Sequence, residues 1–96
     1  MKPSIALNLH RQDIRRIVEK HHAHNPKVFG SVLHGDDTED SDLDLLIEPT
    51  SETTLMDIGA IRYELRRLLG IPVDVLTPRA LPDRFRDSVL AEAVLV

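Results

Sequence analysis

The sequence predicts a single α/β domain in which a small sheet of three or more strands is covered by helices. Three observations predict this class. The chain has 96 residues, of which 42% are hydrophobic; apolar residues recur at helical spacing in its longer segments; and short apolar runs bounded by glycine or proline lie between those segments. Residues 1–96 are expected to form one unit, because no linker, repeat or low-complexity tract interrupts them.

The first elements follow from capping and breaking residues. We expect Asn8 to cap a helix over residues 9–23, which has one apolar face. Asn25-Pro26 ends this helix, because proline has no N–H to donate and restricts the residue before it. Residues 27–29 then form a short strand that ends at Gly30, and residues 31–34 suit a single helical turn.

The second half of the chain repeats the alternation. Residues 43–48 read as a strand. Thr54 and Asp57 resemble a capping box at the start of a long helix that ends at Gly70. A third strand follows at residues 72–76, and a last amphipathic helix at residues 83–93. The apolar C-terminus, residues 91–96, either closes the core or contributes to an interface.

The composition excludes several classes of protein. There is no cysteine, which rules out disulfides, thiolate metal sites and cysteine nucleophiles. No apolar run approaches the roughly 20 residues of a membrane span, and the N-terminus lacks the apolar stretch of a secretory signal. We therefore expect no membrane partner, and a cytoplasmic location fits.

The charges are unevenly distributed along the chain. The net charge is −4, yet residues 28–61 contain no Lys or Arg and carry nine acidic side chains. Such a segment repels a phosphate backbone and attracts divalent cations. A long nucleic-acid partner is therefore not expected.

Asp42 and Asp44 are the first candidates for chemistry. On a strand they project to the same side, about 6.6 Å apart along the backbone. Two carboxylates at the entrance of a buried strand repel each other and lose hydration, a cost that a bound Mg²⁺ would remove. The alternative is a solvated strand end that carries no function.

Two further features have a functional and a structural interpretation. After the first strand, Gly30 permits close backbone approach, and the Ser31 hydroxyl with the following N–H groups suits an anion; the alternative is a simple turn. Asp74 lies in an otherwise apolar strand. It either joins Asp42 and Asp44 around one or two metal ions, or faces water or an arginine such as Arg79.

Taken together, these residues resemble a known signature. Gly30-Ser31, followed after ten residues by Asp42-Leu43-Asp44, is similar to the DNA polymerase beta-like nucleotidyltransferases. The run from Val28 to Leu46 is particularly similar to the minimal nucleotidyltransferases, the small antitoxin partners of HEPN-domain toxins, and Asp74 falls where that family carries its third carboxylate. The resemblance implies the nucleotidyltransferase fold with a mixed sheet.

The resemblance also implies an activity. Family members transfer AMP from ATP to a tyrosine hydroxyl of the HEPN toxin and so block its RNase activity. In that pattern, Gly30 and Ser31 hold the triphosphate. Asp42, Asp44 and Asp74 bind two Mg²⁺ ions, and Asp74 also helps to take the proton of the attacking hydroxyl.

The chain departs from the family pattern after Gly30-Ser31. Many relatives carry Arg-Ala-Arg where this chain has Val32-Leu33-His34, so two cations near the phosphates are absent. Protonated His34, Lys27 or Arg79 are the candidate replacements. The alternative functions are an antitoxin that acts by steric binding alone and a nucleotidyltransferase that modifies a small molecule.

The remaining polar residues are interpreted as solvated surface. A metal pair of His22 and His24 is less favoured than a solvated helix end. Two further groups receive the same interpretation, although partner acids could pair with the arginines: the loop acids Asp36, Asp37, Glu39 and Asp40, and the helix arginines Arg62, Arg66 and Arg67.

Overall fold

A computed structural model describes residues 1–96 as a four-stranded mixed sheet with five α-helices. The elements are, in chain order, α1 (Pro3–Leu9), α2 (Arg11–Lys20), β1 (Ala23–Phe29), α3 (Ser31–His34), β2 (Leu43–Pro49), α4 (Leu55–Leu69), β3 (Val73–Leu76), a 3₁₀ turn (Pro78–Ala80), α5 (Asp83–Glu92) and β4 (Val94–Leu95). None of the five α-helices could span a membrane.

The strand order is β3-β2-β1-β4. β1 pairs antiparallel with both β2 and β4, whereas β2 and β3 pair in parallel. A parallel pair needs a crossover connection, and α4 supplies it. The predicted α/β class with a mixed sheet is confirmed.

One face of the sheet carries the core. Leu43, Leu45 and Ile47 alternate along β2 and are fully buried. They belong to the same apolar cluster as Ile14 of α2 and Leu65 of α4. The intervening positions of β2 therefore face the opposite side of the sheet, and this alternation places the acidic residues outside the core.

The long helix α4 forms as predicted. The Thr54 hydroxyl accepts from the Asp57 N–H, and the Asp57 carboxylate accepts from the Thr54 N–H, which completes a capping box. At the other end, Gly70 adopts the left-handed conformation with φ 68°. Local sequence signals are sufficient here because both caps are formed by residues adjacent to the helix.

The start of the chain differs from the prediction of one helix capped by Asn8. A separate helix α1 precedes α2, and Asn8 lies inside α1, where its side chain accepts from Arg11. The α1 N-terminus takes its partner from a distant loop: the Ser4 N–H donates to Asp37 Oδ2 over 2.9 Å. Asp37 is therefore buried, and its prediction as a solvated loop acid was wrong.

The predicted helix stop at Asn25-Pro26 was also wrong. α2 ends at Lys20, and His22 turns the chain with φ 64° while its carbonyl accepts from the hydroxyls of Thr50 and Thr53. Pro26 lies within β1, at the point where the register with β2 shifts. A strand irregularity tolerates proline because the ladder is already interrupted there.

The C-terminus closes the sheet. β4 adds to β1 as an edge strand, and Val96 is buried in the core cluster. The Val96 N–H donates to the Pro26 carbonyl, and its own carbonyl accepts from Arg15. Helix α5 forms close to its predicted bounds but has no buried residue, and Phe85 and Leu90 on it are exposed.

Candidate active site

Asp44 and Asp74 are neighbours on adjacent strands. In the parallel pairing of β2 with β3, Leu43 is opposite Val73, Asp44 is opposite Asp74, and Leu45 is opposite Val75. The leucine and valine rows are buried and the aspartate row is half-buried, so both carboxylates lie on the face opposite the core. Neighbouring strands lie about 4.8 Å apart, which makes this a closely spaced pair of acids.

The surroundings of Asp44 disfavour its charged form. Burial, followed by the charges of Asp74 and Asp42, raises the pKa of Asp44 from 3.8 to about 6. The charges of Asp74 and Asp42 thus both act on Asp44. A proton or a cation bound there relieves the repulsion, and this is the property that a metal site requires.

Gly30 makes room for the Asp44 carboxylate. It follows β1, whose last residue Phe29 is paired with Asp44, and it has φ 75°. A Cβ atom built on Gly30 would lie 2.3 Å from Asp44 Oδ2. Any side chain at this position would displace the carboxylate, and the positive φ independently favours glycine.

The next residues form the predicted helical turn α3, which begins at Ser31. Ser31 therefore directly follows the glycine that lies against the Asp44 carboxylate. His34, at the end of the turn, has Nε2 3.0 Å from Glu92 Oε2 of α5. Both side chains of this pair are more than half exposed, so the imidazole is accessible but already has an acidic neighbour.

Asp42 lies just before β2 and is exposed. The Leu43 N–H that follows it donates to the Pro72 carbonyl, which ties this point of the chain to the start of β3. The preceding turn is organised locally, since the Thr38 N–H donates to the Ser41 hydroxyl over 2.8 Å. Asp42 is thus presented from an ordered loop end beside the strand that carries Asp44.

Arg66 is the residue that the sequence did not associate with the site. Its Nη2 lies 3.9 Å from Asp74 Oδ1, and its Nε donates to the Val73 carbonyl over 3.1 Å. An arginine therefore lies beside Asp74, as the structural alternative expected, but it is Arg66 rather than the example given, Arg79. Helical periodicity shows only that Arg66 is on a polar face of α4; that β3 runs beside this face is a property of the tertiary fold.

The donor set suits a hard cation that also binds a phosphate ligand. No group of three or more His, Cys, Asp or Glu side chains is arranged to enclose a metal ion by itself. Mg²⁺, however, is commonly held by one or two carboxylates together with waters and substrate phosphates, rather than by a complete protein cage. The adjacent carboxylates of Asp44 and Asp74, with Asp42 nearby, fit this kind of site.

The three aspartates lie outside the two surface concavities of the molecule. The larger of two surface concavities, about 520 Å³, lies between α2 and α4 and is lined by Ile17, Tyr63, Glu64, Arg67 and Leu68. The smaller one involves residues 8–15. Neither includes an aspartate of the site, of which Asp44 and Asp74 are half-buried and Asp42 is exposed.

The histidines outside the site have structural neighbours. His22 lies 3.4 Å from Asp57, the capping residue of α4, and His21 contacts Glu64, whose carboxylate also accepts from Lys20. The hydrogen bonds from Lys20 and His21 lower the pKa of Glu64. His24 lies within β1, opposite Glu48, and His22 lies in the turn before that strand.

Comparison with known proteins places these observations in a family. Residues 9–96 match the family described as nucleotidyltransferase domain. A predicted protein adenylyltransferase of Methanocaldococcus jannaschii, MJ0435, is 35% identical over 92% of this chain and 95% of its own length. Protein adenylyltransferase MntA of Thermococcus cleftensis is 31% identical over 94% of this chain and 88% of its own.

Solved structures show the same fold. The structure of a predicted minimal nucleotidyltransferase superposes with a TM-score of 0.86 at 38% identity and covers 97% of this chain and 95% of that chain. A toxin–antitoxin structure with AMP-PNP superposes with a TM-score of 0.73 at 16% identity, over 88% of this chain and 69% of that chain.

Proposed function

The chain belongs to the minimal nucleotidyltransferases of the nucleotidyltransferase domain family, and from this premise we propose that it is the antitoxin of a two-protein module. In this role it transfers AMP from ATP to a tyrosine hydroxyl of a HEPN-domain toxin. Two relatives are named as protein adenylyltransferases, and a structure of the same fold is a toxin–antitoxin with AMP-PNP.

One observation carries the proposal. Asp44 and Asp74 lie side by side in register on the open face of the sheet, and Gly30 leaves space for the Asp44 carboxylate. A structural acid pair in this position would be costly, because each charge disfavours the other. A cation bound between the two carboxylates and a phosphate would offset this repulsion.

The residues have distinct roles in this mechanism. Gly30 and Ser31 hold the triphosphate of ATP, and His34, when protonated, supplies positive charge near it. Asp42, Asp44 and Asp74 would hold two Mg²⁺ ions. When bound, Mg²⁺ would neutralise phosphate charge and make the acceptor hydroxyl more acidic.

The transfer is a substitution at the α-phosphorus. Asp74 accepts the proton of the tyrosine hydroxyl, whose ordinary pKa of about 10 makes such a base necessary at neutral pH. The phenolic oxygen bonds to the α-phosphorus while the bond to the bridging oxygen breaks. Pyrophosphate leaves, and AMP stays on the tyrosine.

The test is a direct transfer assay. The protein is mixed with ATP, Mg²⁺ and the product of the adjacent gene, which the proposal expects to be a HEPN-domain protein, and this partner should gain about 329 Da per AMP. Asp42→Asn, Asp44→Asn and Asp74→Asn should each abolish the gain. Asp40→Asn, an exposed acid of the same segment, is the matched control and should retain it.

The two alternatives predict different outcomes. Toxin neutralisation that survives all three aspartate substitutions, without any mass gain, would establish an antitoxin that acts by binding alone. AMP transfer to an added aminoglycoside, with none to the HEPN protein, would establish a small-molecule enzyme. Removal of Mg²⁺ by EDTA should stop transfer in either enzymatic case.

A further inference from the structure

Arg66 lies at the free edge of the sheet, where α4 runs beside β3. Its Nε donates to the Val73 carbonyl over 3.1 Å, and its Nη2 lies 3.9 Å from Asp74 Oδ1. One guanidinium therefore contacts both the backbone immediately before Asp74 and the Asp74 carboxylate. The planar guanidinium can donate to a carbonyl through Nε while Nη2 faces a carboxylate, whereas a lysine ammonium offers one charged atom for both groups.

The strength of the ion pair does not account for this arrangement. The side chains of Arg66 and Asp74 are 47% and 49% exposed, and ion pairs so accessible to water contribute little to stability. β3, by contrast, has only four residues and pairs on one side alone. The position of so short an edge strand depends on contacts such as the hydrogen bond from Arg66 to the Val73 carbonyl.

We propose that Arg66 is a positioning residue for Asp74, which it holds in the orientation that metal binding requires. This rests on the proposed role of Asp74 as a metal ligand and base. The contact has two opposed effects on a bound cation. The positive charge of Arg66 repels the cation, whereas a correctly held carboxylate binds it better. Loss of Arg66 therefore weakens cation binding if orientation of Asp74 dominates, and strengthens it if charge repulsion dominates.

The first measurement is metal binding without turnover. Mn²⁺ is titrated into the protein by electron paramagnetic resonance, in the presence of ATP with a methylene bridge between the α- and β-phosphorus. Positioning predicts that Arg66→Gln weakens Mn²⁺ binding about tenfold, as for other residues that orient ligands. Arg67→Gln removes the same charge from a side chain bonded to Tyr63 and should leave the affinity unchanged.

The second measurement is the rate of AMP transfer to the HEPN-domain protein. Arg66→Gln should lower kcat about tenfold, with the KM values for ATP and acceptor within about twofold of wild type. Arg66→Lys keeps the charge but contacts one of the two groups, and should fall between wild type and Arg66→Gln. The melting temperatures of the Arg66 variants and of Arg67→Gln identify any loss of activity that comes from unfolding.

Several outcomes would overturn the proposal. Mn²⁺ affinity that rises in Arg66→Gln would show a charge effect only, and affinity that stays constant would show no net effect of Arg66 on the metal site. A change confined to the KM of the acceptor would show a docking role. Asp74→Asn separates this inference from its premise. If Asp74→Asn abolishes transfer while Arg66→Gln behaves as Arg67→Gln, positioning alone fails; if Asp74→Asn retains transfer, the proposed role of Asp74 itself fails.

Discussion

Gly30 and the carboxylate of Asp44 lie so close together that position 30 has no room for a side chain. The glycine is required twice, once by its φ of 75° and once by the 2.3 Å that would separate its Cβ from Asp44 Oδ2. Gly35 has almost the same φ, 74°, but no atom within 4 Å of its Cβ position. These two glycines therefore distinguish backbone strain from collision with a functional carboxylate.

Gly30→Ala should reduce AMP transfer by more than about tenfold, because a displaced Asp44 no longer contacts the reacting groups correctly. It should also lower the free energy of unfolding by about 1–3 kcal/mol. Gly35→Ala, with strain alone, should lose about 1 kcal/mol and keep its activity. Urea unfolding and the transfer assay measure both effects. Equal activities for the two variants would show that the collision does not matter.

The raised pKa of Asp44 gives a pH dependence of defined sign. Because burial and the neighbouring acids raise that pKa from 3.8 to about 6, the folded protein binds the extra proton between these values. Deprotonation of Asp44 therefore lowers the free energy of unfolding as the pH rises from about 4 to about 6, and the loss stays constant at higher pH. The effect should be absent below pH 4, where Asp44 is protonated in both states.

Asp44→Asn in EDTA should therefore be more stable than wild type at pH 7.5 by about 1 kcal/mol, a figure reduced for solvent screening. This difference should disappear towards pH 4. Unfolding by urea at a series of pH values measures it directly. A difference that does not vary with pH would contradict the assignment of the raised pKa to Asp44.

At the scale of single elements, predictability depends on where the stabilising partner lies. α4 and α3 form as expected, since the Thr54–Asp57 capping box and the glycines that end both helices are local. The break between α1 and α2 and the short β4 were missed. The N-terminus of α1 is capped by Asp37, 33 residues away from Ser4, so the residues around Ser4 carry no local signal that a separate helix begins there. β4 has only two residues, which is too short for a periodic pattern.

The long-range cap of α1 is testable. Asp37→Asn should lower the melting temperature and fray α1, because an uncharged amide accepts less strongly from the Ser4 N–H at a helix N-terminus. Asp36→Asn, at a neighbouring exposed acid, should leave both unchanged. The hydrogen bond from Ser4 lowers the pKa of Asp37, so its contribution is present at neutral pH and is lost as the pH falls through that lowered value. Thermal melts with amide hydrogen exchange at residues 3–9 measure the effect.

For the molecule as a whole, the sheet separates two tasks. One face is packed by helices around fully buried residues such as Leu45, and the other presents Asp44 and Asp74. The spacing of Asp42, Asp44 and Asp74 in the sequence was sufficient to propose the site. It was not sufficient to find Arg66, because the approach of α4 to the edge of β3 depends on how the crossover packs.

The first residues of the chain reach the same acidic loop twice. The Met1 ammonium lies 3.2 Å from Glu39, and the Ser4 N–H is held by Asp37; three residues after Glu39 comes Asp42. Displacement of α1 would therefore also displace the loop that leads into Asp42, through the hydrogen bond from Ser4 to Asp37. Substitutions in α1 are for this reason useful controls when the activities of variants in that loop are compared.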